Sequence, residues 1–165
     1  MKKQLLTFLV SFFFFNQFLN AQSANSNASH TVTLNLSNAI ELLFTNGGSG
    51  VNMNFTTADN YQNGITADNA AQIRVRSNKS YNVTVKSTAT SFSSSSATVM
   101  PVSNVLWVKE SNQTTYVNMS NVDQDLITNQ SRGSNTFDVS YKATPGFSYT
   151  DGTYIVSVIY TATQQ

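Results

Sequence analysis

The chain has 165 residues, a formal net charge of +1 and no cysteine, so disulfide staples and cysteine-based metal sites are excluded. Two of its nine basic residues, Lys2 and Lys3, open the chain, and the remainder is nearly neutral. This balance lacks the basic excess that nucleic acids or anionic membranes attract. The length fits one domain that is held together by core packing and strand pairing.

The N-terminal segment has the pattern of a secretory signal. The two lysines precede an apolar run over residues 5–15, and Leu19-Asn20-Ala21 places a small residue before a cleavage point. Polar residues from Asn16 onward interrupt the run, which is shorter than the roughly 18 to 20 apolar residues of a membrane span. We predict a cleaved signal peptide at residues 1–21, a mature chain without a membrane span, and a location that is extracellular or at the outer cell surface.

The next residues change from a polar leader to a strand pattern. Residues 22–30 contain no apolar side chain larger than alanine, which predicts a flexible leader. Val32, Leu34 and Leu36 then alternate with polar residues, as in a strand. A single β-sandwich domain is therefore predicted over residues 31–165.

A second apolar piece, residues 39–44, follows the first strand, and the two form a strand pair or one bent strand. A short amphipathic helix over residues 38–44 is the alternative. The glycine-rich stretch 46–50 predicts a turn, because no Lys-Ser or Lys-Thr completes a phosphate-binding loop. Residues 51–56 alternate again and predict a strand.

A polar connection then contains the repeated tetrapeptide Thr-Ala-Asp-Asn at residues 57–60 and 66–69. Asp59 and Asp68, with neighbouring asparagines, offer oxygen ligands for calcium, which takes six to eight of them. No loop glutamate completes the set, so turn formation by Asx residues is the favoured interpretation.

A central hairpin is predicted over residues 73–86. Apolar residues alternate with Arg74 and Arg76 on its first strand and with Lys86 on its second strand. The three cations are therefore expected on one outer face. This face either contacts an anionic wall glycan or is a solvated surface that prevents edge-to-edge pairing.

The run Val105-Leu106-Trp107-Val108 predicts a core strand that is covered on both faces. Trp107 is the only tryptophan of the chain, and its apolar neighbours favour the interpretation that it anchors the core. A stacking platform for a sugar ring is the alternative.

The C-terminal part holds two more strands, over residues 137–143 and 153–163, while residues 122–128 are predicted as a loop or a single helical turn. The last strand, with its β-branched and aromatic residues, is expected in the middle of a packed sheet. Between the two strands, Pro-Gly and Asp-Gly pairs predict a wide hairpin with Phe147 and Tyr149 at its tip. These aromatic residues either form a binding loop or pack over the end of the sandwich.

An inventory of reactive groups argues against catalysis. His30, the only histidine, lies in or beside the leader, and the only glutamates are Glu41 and Glu110. The spacing supports neither a Ser-His-Asp triad nor a glycosidase carboxylate pair. We predict that the protein is not an enzyme and that it uses no cofactor and no metal ion.

Two segments resemble a known group of proteins. They are the hairpin motif Val75-Arg76-Ser77-Asn78-x-x-Tyr81-x-Val83-x-Val85 and the C-terminal stretch from Tyr141-Lys142-Ala143-Thr144-Pro145 to Gly152-Thr153-Tyr154. Together with a signal that ends in Ala-Gln, they are similar to small secreted bacterial β-sandwiches of the WxL-type, pilin-like or spore-coat-U-like kind, and the signal resembles those of the Bacteroidetes. The resemblance implies a secreted or cell-surface structural or adhesive protein without catalytic activity, with a cell-wall or glycan-binding module as the alternative.

The fold predicted from all these elements is an all-β, antiparallel β-sandwich of about eight or nine strands, immunoglobulin-like with Greek-key connections, and a β-barrel is the alternative. The expected partner is another copy of the chain, through strand addition by the segment around Thr31 to Leu36, or a cell-wall glycan. Candidate ligand contacts are Arg74, Arg76, Lys86, Trp107, Phe147 and Tyr149.

Overall fold

A computed structural model describes residues 25–96 and 98–165, so the predicted signal peptide and the first residues of the leader lie outside the described residues. The chain divides into two units, Met1–Asn35 and Leu36–Gln165. The described part of the first unit, residues 25–35, contains neither helix nor strand, and its side chains are exposed. Within the described ranges, no helix has the length and apolar content that a membrane crossing requires.

The second unit contains the β-sandwich. Its elements in chain order are β1 (Ile40–Asn46), α1 (Ala58–Asn63), β2 (Ile65–Ser77), β3 (Tyr81–Ser87), β4 (Ser93–Ser94), β5 (Leu106–Glu110), β6 (Val117–Asn118), β7 (Gln124–Gln130), β8 (Gly133–Ala143), β9 (Tyr154–Ile155) and β10 (Val158–Gln164). The five-stranded sheet has the order β1-β2-β8-β5-β6, the three-stranded sheet the order β10-β3-β7, and β4 pairs with β9. Neighbouring strands run antiparallel. The predicted all-β sandwich is confirmed, and the closed-barrel alternative is wrong because both main sheets have free edges.

The core lies between the two main sheets, and the alternation of the sequence explains its composition. Every second residue of β2 and β3 faces inward, so Ile73, Val75, Tyr81, Val83 and Val85 are fully buried. The other strands of both sheets, and Met119 directly after β6, add to the same cluster, with Val108, Leu126, Val139 and Tyr141 among its members.

The predicted central hairpin is wrong in its pairing. Both predicted strands form, but β2 belongs to the five-stranded sheet and β3 to the three-stranded sheet. The turn at residues 78–80 therefore crosses from one sheet to the other. Alternation and turn residues have the same appearance in a hairpin and in such a crossing.

Three further predictions about strands are corrected. β10 is an edge strand, where the sequence predicted a central one. Residues 124–130 form β7, where a loop or helical turn was predicted, because register irregularities let the adjacent Leu126 and Ile127 both be buried. Residues 51–56 do not form a strand, although Val51, Met53 and Phe55 pack against the core.

The long strands connect two ends of the sandwich. Ile40, Gly133 and Ser77 are register partners at one end, and the short turn 78–80 brings Tyr81 and its partners Gln130 and Gln164 to the same end. We call this end the entry end, because the chain enters β1 there. The connections 47–64, 88–105, 119–123 and 144–153 lie at the opposite end, which we call the far end.

Candidate assembly edge and the predicted contact residues

The edge formed by β10 is regular and uncharged. β10 pairs with β3 from Val158 opposite Ser87 to Gln164 opposite Tyr81 without a bulge. Its sequence, V-I-Y-T-A-T-Q, contains neither charge nor proline, and no strand lies on its other side in the described part of the chain. A free edge of this kind presents unpaired N–H and C=O groups and accepts an added strand.

The other edges carry features that oppose strand addition. In β1, Arg76 Nε of the neighbouring strand donates to Glu41 Oε2 at 2.6 Å, and the register shifts between Phe44 and Asn46. In β7, the register shifts twice and Asp125 is exposed, while β6 has only two residues. Charges, bulges and short length are the usual protection of sheet edges, so β10 is the least protected one.

Tyr160 ties the β10 edge to the opposite sheet. Its hydroxyl shares a hydrogen bond of 2.5 Å with the hydroxyl of Tyr141 in β8, and its ring meets Phe44 of β1 edge-on, with a centroid distance of 5.8 Å. Burial raises the pKa of both tyrosines, and for Tyr160 the neighbouring Tyr141 raises the pKa further. Both hydroxyls are therefore neutral at ordinary pH.

The segment between leader and sandwich exposes an apolar row. Val32, Leu34 and Leu36 are 70%, 79% and 89% exposed, and the alternating Thr33 and Asn35 are exposed as well. The predicted strand over these residues is not formed in the single copy. Their pattern is still that of a strand that needs a partner to bury one face.

The predicted basic face does not exist as one surface. Arg74 and Arg76 lie on the outer face of the five-stranded sheet, whereas Lys86 lies on the outer face of the three-stranded sheet. Arg76 pairs with Glu41, and Lys86 pairs with Asp123 at 3.1 Å. Because the two sheets face away from each other, the three cations cannot contact one ligand together.

Arg74 is the remaining cation of that prediction. Its Nε is buried and has no hydrogen-bond partner among the described residues. Its register partners are Leu43 of β1 and Thr136 of β8, neither of which carries a charge.

Trp107 lies on the face of β5 that points away from the core. Leu106 and Val108 are buried, while Trp107 is half-buried between the paired positions Lys142 and Asn118. The interpretation of Trp107 as a core anchor is wrong. The continuous apolar run gave no sign that Trp107 alternates with the buried Leu106 and Val108. An aromatic ring can cover the outer face of a sheet as well as the inner one.

Phe147 and Tyr149, the aromatic residues at the tip of the predicted hairpin, differ in their exposure. Phe147 is 65% exposed, and its ring stacks on Tyr61 of α1 with a centroid distance of 5.7 Å and an interplanar angle of 24°. Tyr61 in turn contacts Phe55 at 5.5 Å. Tyr149 is half-buried. One face of the Phe147 ring is thus supported by protein, at the far end of the sandwich.

The polar repeat has a structural role. Thr57 caps α1, because its hydroxyl accepts a hydrogen bond from Asn60 N and the Asn60 side chain accepts one from Thr57 N. Asp68 lies at the irregularity between Ala67 and Ala71 in β2. No group of three or more His, Cys, Asp or Glu side chains converges in residues 25–96 and 98–165.

A cleft at the entry end was missed by the sequence interpretation. It has a volume of about 420 Å³, and its lining residues are Asn78, Lys79, Ser80, Ser131, Arg132 and Gln165. Its two cations come from separate turns, 78–80 and 131–132, which are more than fifty residues apart in the sequence. The crossing of the chain between sheets, which the alternation did not reveal, brings the turns together.

Comparison with known proteins gives likenesses among solved structures alone. No family model matches the chain, and no curated protein sequence matches it. The chain is similar to a chain of a solved chaperone–usher pilus, described as revealing the molecular basis of rod uncoiling. The TM-score is 0.47 at 9% sequence identity, and the match covers 87% of this chain and 97% of that chain.

Proposed function

We propose that this protein is a secreted or cell-surface structural subunit, without catalytic activity, that associates with copies of itself by strand addition. The observation that carries this proposal is the exposed apolar row of Val32, Leu34 and Leu36, 70–89% exposed, in a chain whose β10 edge is free, regular and uncharged. Residues 31–36 of one copy add to the β10 edge of another, and the added strand buries this row.

Two physical terms favour this association. Burying a valine or leucine side chain fully is worth about 1.5–3 kcal/mol, and each net backbone hydrogen bond contributes about 0.5–1.5 kcal/mol. Against them stands the loss of translational and rotational freedom, about 4–15 kcal/mol. Three large apolar side chains together with a six-residue ladder are of the size needed to offset that loss.

Sedimentation velocity of residues 22–165 tests the proposal. The purified chain is expected to form a ladder of oligomers that disappears when residues 22–36 are deleted. Leu34→Asp is expected to abolish the ladder, because it places a charge in the buried row. The matched control is Thr33→Asp, which puts the same charge on the opposite face and should leave the ladder intact. A monomeric wild type, or equal effects of Leu34→Asp and Thr33→Asp, would contradict the proposal.

A cell-wall or glycan-binding module is the second candidate, favoured by the exposed ring of Phe147. Its stacking on Tyr61 holds the ring as a platform, with a centroid distance of 5.7 Å, and 65% of the residue is open to solvent. Flat aromatic faces bind the apolar face of sugar rings. Trp107 beside Lys142 is a second such surface, on the outer face of the five-stranded sheet.

Co-sedimentation with insoluble bacterial cell-wall material tests this second candidate. Pelleting that requires the wall and is lost in Phe147→Ala, but not in Ile155→Ala, would support it, because Ile155 is 63% exposed and not aromatic. Trp107→Ala and Arg74→Ala test the two other candidate contacts in the same assay. A protein that stays soluble with and without wall material would contradict a wall-binding function.

A further inference from the structure

The entry-end cleft carries positive side chains that pair with no carboxylate of the described chain. Lys79 and Arg132 both line it, and neither takes part in the ion pairs of the described residues, which join Arg76 to Glu41 and Lys86 to Asp123. Hydroxyl and amide groups of Ser80, Ser131 and Asn78 line the rest. Such a cleft attracts carboxylate or phosphate groups.

The far end carries the opposite charge. The far-end connections 47–64, 88–105, 119–123 and 144–153 contain no lysine and no arginine in their sequence, whereas they contain Asp59, Asp123 and Asp151. Asp59 and Asp151 are exposed and outside the two ion pairs of the described residues, whereas Asp123 pairs with Lys86. The unpaired charges of the turns and connections therefore differ between the two ends, with two cations in the entry-end cleft and two carboxylates in the far-end connections.

The segment that the proposed function donates leaves the sandwich beside the cleft. Asn78, which lines the cleft, donates from Nδ2 to Ser37 O at 2.8 Å and accepts from Ala39 N at 3.0 Å. Only residues 37–39 separate Leu36 from β1, a distance of at most roughly 14 Å when extended. A copy that donates residues 31–36 must therefore bring its entry end close to the accepting copy.

The direction of the added strand decides which end it meets. β10 runs from the far end to the entry end. A strand added parallel to β10 would finish at the entry end of the accepting copy and set cations against cations. A strand added antiparallel finishes at the far end, where Asp59 and Asp151 lie, and like charges in contact are avoided.

We propose that the entry-end cleft of one copy docks on the far end of the next copy, with Lys79 and Arg132 facing Asp59 and Asp151. The inference rests on the proposed self-association and adds its polarity and its second contact surface. Because the two surfaces differ, the contact is head-to-tail, and repetition gives an open chain of subunits in place of a closed dimer.

Charge reversal in residues 22–165 tests the contact. One variant carries Lys79→Glu and Arg132→Glu, and the other carries Asp59→Lys and Asp151→Lys. Each alone is expected to assemble about tenfold more slowly than wild type at about 0.01 M salt, with the difference largely removed near 1 M salt. An equal mixture of the two variants is expected to regain the wild-type rate, because each copy then finds a complementary neighbour. Lys109→Glu, a reversal on the outer sheet face inside β5, where Lys109 pairs with Ser140, is the matched control and should assemble normally.

Other outcomes would overturn the inference. Wild-type rates for both reversals at low salt would show that the ends do not meet. Slow assembly that mixing fails to restore would show that the reversed residues do not act through a contact between the two ends. Leu34→Asp separates the proposed strand addition from the proposed end-to-end contact. If it abolishes assembly while the reversals have no effect, strand addition is supported and the end-to-end contact is contradicted. If the wild type does not assemble, both fall.

Discussion

The hydroxyl pair of Tyr141 and Tyr160 provides a quantitative test of how the two sheets are joined. Each hydroxyl has the other as its partner, at 2.5 Å. Tyr141 is 8% exposed. Tyr141→Phe or Tyr160→Phe leaves one buried hydroxyl without a partner, which costs about 1–3 kcal/mol of unfolding free energy. Replacing both removes the polar groups together and is expected to be nearly neutral.

The assay is a double-mutant cycle from urea unfolding. Trp107, the single tryptophan, reports the transition by fluorescence, at a protein concentration where sedimentation shows monomers. The expected coupling free energy has a magnitude of about 2–6 kcal/mol, because each single variant loses about 1–3 kcal/mol and the double variant is nearly neutral. Additive losses within about 0.5 kcal/mol would refute a hydrogen bond that joins the sheets through these hydroxyls.

Three further outcomes are expected. Burial raises the pKa of the tyrosine pair, so the folded state keeps protons that the unfolded chain releases, and stability is lost as pH rises above the unfolded pKa of about 10. The loss is about 1.4 kcal/mol per pH unit for each tyrosine, and the double phenylalanine variant should show a correspondingly shallower slope in unfolding measured against pH. Ile73→Ala should cost about 2–5 kcal/mol in urea unfolding, because Ile73 is fully buried. Gly47→Ala should destabilise strongly in the same assay, because φ is +68° and a Cβ would overlap the carbonyl oxygen of Ala70.

Each of these outcomes has a matched control. An equal alkaline slope in the double phenylalanine variant would contradict the effect of burial on the tyrosines. Ile155→Ala removes the same atoms at a site that is 63% exposed, and an equal cost there would contradict the assigned core. Gly146 also has a positive φ, of +64°, but no atom lies within 4 Å of the position that a Cβ would take there. Gly146→Ala should therefore cost only about 1–2 kcal/mol, and equality with Gly47→Ala would contradict the close contact at Ala70.

Much of the core could be predicted from the sequence, because burial follows alternation. Val83 and Val85 were placed inward by period two, and both are fully buried. The turn at Asn46–Gly50 was visible from its glycines and is confirmed by the bond from Gly50 N to Gly47 O, at 3.2 Å. These features depend on neighbours in the sequence, which local patterns encode.

Features that depend on distant pairing were not predictable in the same way. The alternation of β2 and β3 gave the inward residues but did not show which sheet each strand joins, so Arg74 and Lys86 were placed on one face. β10 was expected to be central, because β-branched and aromatic residues report packing of faces and say nothing of hydrogen-bond neighbours. The Lys79 and Arg132 cleft exists only through that long-range arrangement.

Residues 31–36, which we propose to add to a neighbouring copy, carry a clear strand pattern in the sequence. The alternation of Val32, Leu34 and Leu36 predicted a strand, and the single copy leaves these residues exposed and unpaired as a strand. An alternating strand normally buries one face, but residues 31–36 bury none in the single copy. Local sequence rules tend to fail at functional sites, and this is the segment for which we propose a function.

Engineered cysteines test strand addition at the β10 edge most directly, since the chain has none of its own. A Thr33→Cys chain is mixed under oxidising conditions with chains that carry Thr161→Cys or Thr163→Cys in β10, or Thr128→Cys in β7. A disulfide needs Cα atoms roughly 4.4–6.8 Å apart, so it reports pairing in register. Rapid formation of disulfide-linked heterodimers is expected with a β10 cysteine, and few heterodimers are expected with the β7 cysteine. Equal yields from both edges, or none from β10, would contradict strand addition at the β10 edge.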